Sequence, residues 1–181
     1  MKKKYLLGAT AAAVLAAGTF GAVAANATAP AAAPAAAVAK ADAGSRNLQK
    51  STHLTIAAAT KAAQATLKAA ESENQKVSVA VVDRNGNTIL TLRGDGAGPQ
   101  SYESAVKKAY TAVSWNAPTS ELAKRLTNAP TLKDIPGTLF LAGGAPVTAD
   151  GAPIAAIGVA GAPSGDLDEK FAQAGVASLN R

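Results

Sequence analysis

Few side chains here are equipped for chemistry. The 181-residue chain has one histidine, His53, no cysteine, and one methionine, Met1. A nucleophile–histidine–carboxylate triad would have to be built on His53, which stands at the start of an apolar-periodic segment beside an Ala/Pro-rich stretch. No Gly-x-Ser-x-Gly elbow accompanies it. A zinc site of the usual kind needs three or four His, Cys or carboxylate ligands, and this composition does not supply them. Asp166, Asp168 and Glu169 offer oxygens to a hard cation such as an iron ion, although acids at the positive end of a helix are the reading their placement favours.

The segment GDGAGPQSYESAVKKAYTAVSW, residues 94 to 115, raises a second possibility, a phosphate loop. A P-loop requires Gly-Lys-Ser/Thr at the helix start, where this chain has Pro99-Gln100-Ser101. A dinucleotide loop requires a βαβ unit, and the strands before it read as a hairpin. Asp95 inside the loop would also repel a phosphate. The glycines are therefore expected to make a tight connection.

The helix that follows, Ser101 to Trp115 with Ser101 as N-cap, is more informative. Tyr102, Val106, Ala109 and Val113 share a face at helical spacing and are assigned to the core. Glu103, Lys107, Thr111 and Trp115 form an i, i+4 ladder on another face, with Lys108 one turn before Thr111. A solvated face with a Glu103–Lys107 pair, worth about 0.2–0.5 kcal/mol, accounts for much of that ladder. A tryptophan outside the main stripe points further, to contact with a ligand or a neighbouring subunit.

These residues need a frame. Lys2 to Lys4, a long Ala/Gly-rich apolar run and Ala25-Asn26-Ala27 have the three parts of a secretory signal peptide. Residues 1–27 are therefore expected to be cleaved near Ala27 and the protein secreted. Residues 28–49 read as an Ala/Pro-rich tether, and residues 50–181 as one domain. The 18 Lys+Arg against 12 Asp+Glu give +6, and loss of Lys2, Lys3 and Lys4 leaves +3. With no longer basic run left, nucleic acid is not an expected partner. Small side chains dominate, so burial of further surface in an oligomer is expected.

Within the domain, residues 54–73 read as a helix with Ile56, Ala59, Ala63, Leu67 and Ala70 on its apolar stripe and Thr55 or Thr52 as cap. VSVAVV (77–82) and TILTLR (88–93) flank Asn85-Gly86, a hairpin signal. After the second helix come a short helix, SELAKRL, a strand at 138–142, two more strands about Asp150-Gly151, and a C-terminal helix. Strands in hairpins with helices before and after predict an α+β domain with an antiparallel sheet.

The phrases KKAYTAVSWNAPTS, PTLKDIPGTLFLAGGAPV and GVAGAPSGDLDE closely resemble the GlcG/HbpS-like family, in particular its exported bacterial haem-binding members; the likeness extends over nearly all of residues 50–181. The resemblance implies a profilin-like α+β fold, a homo-oligomer (an octamer in the exported branch), and haem bound at the oligomer surface or between subunits. It further implies sensing or buffering of haem, iron and oxidative stress as an accessory to the membrane sensor kinase of a two-component system. The iron-ligand types that remain are His53, Tyr102, Tyr110 or a weaker oxygen. The family motif matching KKAYTAVSW places Thr111 against the haem iron, which implies weakly held haem. Lys107 and Lys108 are expected to meet the propionates, and Trp115 to pack near the porphyrin. A haem-degrading or peroxidase-like enzyme and a small-ligand-binding module are the alternatives.

Overall fold

The computed structural model describes residues 42–180. The segment read as signal peptide (1–27) and most of the one read as tether (28–49) lie outside them. The chain divides into units 1–46 and 47–181. Of the first only residues 42–46 are described, and all of them are exposed. Among the described residues no helix is long and apolar enough to cross a membrane.

The second unit runs α1 (Ile56–Ser72), β1 (Ser78–Asp83), β2 (Thr88–Arg93), α2 (Pro99–Trp115), α3 (Thr119–Arg125), β3 (Gly144–Ala149), β4 (Ala152–Ala160) and α4 (Gly165–Ala177). The four strands form one antiparallel sheet in the order β2-β1-β4-β3, which is the α+β class expected.

Alternation along the strands divides the core between the two faces of the sheet. Val79, Val81, Ala155, Ile157 and Val159 pack with Ala59, Ala62, Ala63 and Ala70 of α1 and with Phe171 and Ala172 of α4. On the other face Ala80, Val82, Ala156 and Ala160 meet Ala105, Ala109, Ala112 and Val113 of α2. Small residues bring that helix unusually close. A Cβ on Gly158 would overlap the carbonyl oxygen of Ala105 and stand 2.5 Å from the Ala109 nitrogen.

Three local expectations are corrected. Thr55 does cap α1, its hydroxyl accepting the Ala58 N–H at 3.2 Å, but Ile56, at the first position of the helix, is 62% exposed and not part of the buried stripe. The cap of α2 is Gly98 with Pro99 at the first position, not Ser101. The Ser101 hydroxyl is buried instead against that of Ser78, at 2.8 Å. Residues 138–142 are not a strand, and β3 starts at Gly144. Its N–H groups turn to local carbonyls and to side chains rather than to a strand: Thr138 to the Ile135 carbonyl at 3.3 Å, Leu141 to the Leu139 carbonyl at 2.9 Å and Leu139 to Thr111 Oγ1 at 2.8 Å, while just beyond it Gly143 reaches Glu169 Oε2 at 3.3 Å and Gly144 reaches Thr119 Oγ1 at 2.7 Å.

The glycine segment 94–98 is a turn, as expected. The Ala97 N–H reaches the Gly94 carbonyl at 3.1 Å, and Arg93 Nε holds the Ala97 carbonyl at 3.0 Å.

Candidate functional site

Helix α2 carries most of the candidate residues, and its faces are not distributed as the sequence suggests. Ala105, Ala109, Ala112 and Val113 are buried as the core stripe, but Tyr102 is 49% exposed. Lys107 lies on the outer face and pairs with Glu103 at 2.8 Å. The hydrogen bond and charge of Lys107 hold the Glu103 carboxyl below its ordinary value.

Thr111 is fully buried under residues 138–142. Its hydroxyl donates to the Lys107 carbonyl and accepts from the Leu139 N–H, both at 2.8 Å. One acceptor lone pair remains, but it is covered. In this arrangement Thr111 can meet an iron only if the irregular segment around Leu139 moves.

Tyr110, half-buried, lies beside two glycine turns. A Cβ on Gly86 (φ +86°) would stand 2.7 Å from its ring, and one on Gly137 (φ +79°) 3.7 Å. Trp115 packs edge-on against Phe140, with centroids 5.2 Å apart and planes at 65°. Together with Ala117 and Leu122 they form a small cluster between α2, α3 and the incoming loop. His53 is exposed, with Nε2 2.7 Å from Ser51 Oγ, and its charge acts on Asp83. Thr111, Tyr110, Lys107 and Trp115 are therefore neighbours on α2, while His53 belongs to the surroundings of Asp83.

Lys108 is the principal correction. Expected beside Lys107 to meet propionates, it is 2% exposed, and its Nζ lies 2.7 Å from Asp168 Oδ2. Asp168 Oδ1 accepts the Ala162 N–H at 3.0 Å. Burial pushes the Asp168 carboxyl up, against the opposing pull of the ammonium and of the Ala162 and Gly161 N–H groups. Glu169 accepts the Ser120 N–H at 2.9 Å and the Ser120 hydroxyl, which ties α4 to the start of α3.

The acidic cluster that could have offered oxygens to a cation is thereby broken up. Asp168 and Glu169 are committed to internal partners and only Asp166 is exposed. Among the described residues no group of three His, Cys, Asp or Glu could hold a metal ion. Sequence reading missed Thr119 and Ser120, whose NAPTS context signals a helix start but not a buried carboxylate partner.

The model of the HbpS-like family, described as haem degrading protein HbpS-like, matches residues 54–177. The chain belongs to this family. It is 74% identical to a crystal structure of HbpS, covering 78% of this chain and 100% of that one at a TM-score of 0.77. A double glutamate-to-aspartate variant of HbpS from Streptomyces reticuli is 72% identical, covering 84% and 100%, at a TM-score of 0.76. More distant is the crystal structure of a PduOC–haem complex, 27% identical over 71% of this chain and 96% of that one, at a TM-score of 0.66. A 15.0 kDa protein from the dhaT–dhaS intergenic region of Citrobacter freundii is 36% identical over 118 residues, 62% of this chain and 83% of its own.

Proposed function

We propose that this HbpS-like protein binds haem and serves to sense or buffer haem, iron and oxidative stress. In this reading it is exported after cleavage near Ala27, assembles as a homo-oligomer, an octamer by family resemblance, and acts as accessory to a membrane sensor kinase. Membership of the family makes it a haem-related protein. The observation that carries the reading is the 74% identity to HbpS over the whole of that chain.

The residues present are compatible with haem held at the surface. Exposed His53 and Tyr102 are donor types that iron accepts, and half-exposed Lys107 suits a propionate. Thr111, the ligand implied by the resemblance, becomes available when Leu139 releases it. Bound haem would supply a redox-active iron and a visible chromophore. The chain would supply the ligand, the cation and an occupancy-dependent position of residues 138–142, which is a difference a partner can read.

Haemin titration of the protein, with Thr111→Ala, His53→Ala and Tyr102→Phe in parallel, tests this reading. A saturable Soret band lost in Thr111→Ala places the iron under the 138–142 segment; loss in either other variant moves it to that residue. No saturable band in the parent overturns the proposal. The family description favours one second reading, haem degradation. Catalytic release of biliverdin would support it, and stoichiometric bleaching would not. Sequencing the N-terminus of secreted protein tests cleavage after Ala27.

A further inference from the structure

A cleft of about 370 Å³ opens beside the first two turns of α2, lined by Gln100, Ser104, Lys108, Leu141, Ser164 and Asp168 among others. Its size is that of a small-molecule site. Among the lining residues Lys108 is a charged side chain buried to 98%. An ammonium has three donors, and Lys108 spends one of them, on Asp168.

Ser101, Ser164 and Asp168 in the same lining are bonded internally, but two polar side chains at the opening are unspent. Neither the Ser104 hydroxyl nor the Gln100 amide has a hydrogen-bond partner among the described residues. In the first turn of α4, the Ser164 hydroxyl takes the Leu167 N–H and the Ser164 carbonyl takes the Asp168 N–H. That leaves the Gly165 and Asp166 N–H groups at the positive end of the helix without partners. Asp168 does not compete for them. Its Oδ2 faces Lys108 and its Oδ1 faces the Ala162 N–H.

We infer that this cleft binds a carboxylate group, held by the Lys108 ammonium, the Ser104 hydroxyl and the Gly165 N–H at the start of α4. The carboxylate comes either from a free small acid or from a porphyrin propionate. The second source rests on the haem reading and the first does not. Leu141, 52% exposed, supplies an apolar flank for the carbon skeleton.

The test uses propionate ion as probe on isotope-labelled protein, following backbone amides by NMR. Saturable shifts are expected at Ala162, Gly165 and Asp166, with affinity at least tenfold weaker in Ser104→Leu, which fills the cleft from its half-exposed side and leaves the buried pair intact. Unsaturable drift, or shifts equal in the variant or in chloride of the same ionic strength, would overturn the inference. Haemin that displaces propionate while its dimethyl ester does not would assign the carboxylate to a porphyrin. Saturable propionate binding that haemin leaves untouched would assign it to a free acid, whether or not haemin binds elsewhere.

Discussion

The hydroxyl of Thr111 accepts the backbone N–H of Leu139 across 28 residues of sequence, at 2.8 Å, with no solvent between them. This bond fixes the irregular stretch 138–142 on α2 where a strand pairing would otherwise be expected. Thr111→Val keeps the shape but orphans the Leu139 N–H, at a cost of about 1–3 kcal/mol. Thr111→Ser keeps the bond and is expected to retain most of the stability. Urea midpoints of the two variants measure the difference, and their haemin spectra show whether the hydroxyl has a second role.

The Lys108–Asp168 pair makes a contrasting prediction. Lys108→Met alone leaves a buried carboxylate without its counter-charge and is expected to cost about 3–5 kcal/mol. Lys108→Met combined with Asp168→Leu removes both charges and should recover much of that loss. A double-mutant cycle read by denaturant unfolding checks it; an additive double variant would show that the pair is not coupled.

Gly158 is where α2 lies closest to the sheet. Gly158→Ala is expected to destabilise at or beyond the upper end of the about 1–3 kcal/mol typical of overpacking, since the obstacle is the Ala105 and Ala109 backbone. Gly151, with nothing within 4 Å of a Cβ but a φ of +75°, should tolerate alanine better. Comparing the melting temperatures of the two variants separates steric overlap from backbone strain.

The hairpin gives the pH prediction. Partial burial raises the Asp83 carboxyl, but hydrogen bonds from the Asn87 N–H and side-chain amide and the Asn85 N–H, with the charge of His53, outweigh it and set it below its ordinary value of 3.8. A depressed folded-state value means stability that is present above the ordinary value and lost as pH falls through the folded one. Asp83→Asn is expected to flatten that acid limb when unfolding is followed from neutral pH down through the carboxylate range.

Legibility in the sequence followed the range of the interactions. The hairpin at Asn85-Gly86 and the helices at 56–72 and 165–177 rest on local patterns, and they were readable. The strand expected at 138–142 was not there, because TLFLA has a strand's composition while its hydrogen-bond partners are nearby carbonyls and the Thr111 hydroxyl of a distant helix. Lys107 and Lys108 look equivalent in sequence, yet 100° of helix rotation separates an exposed ion pair from a buried one. Asp168 and Glu169 read as helix-start acids, and their real partners lie about 50 to 60 residues upstream, where spacing has nothing to say. The motif around Thr111 identified the family, but not that the threonine would be covered.

The contact between α2 and the sheet is made largely of small side chains and backbone: Ala105, Ala109 and Ala112 against Ala80, Ala156, Gly158 and Ala160, with Val113 and Val82 beside them. Such a contact has few rotamers with which to absorb a push. A force applied to the outer side of α2 is therefore carried into β1 and β4 at nearly full amplitude, and the strands must shift with the helix or the helix cannot shift at all. The interface has low compliance, and it makes the helix and these two strands one stiff unit.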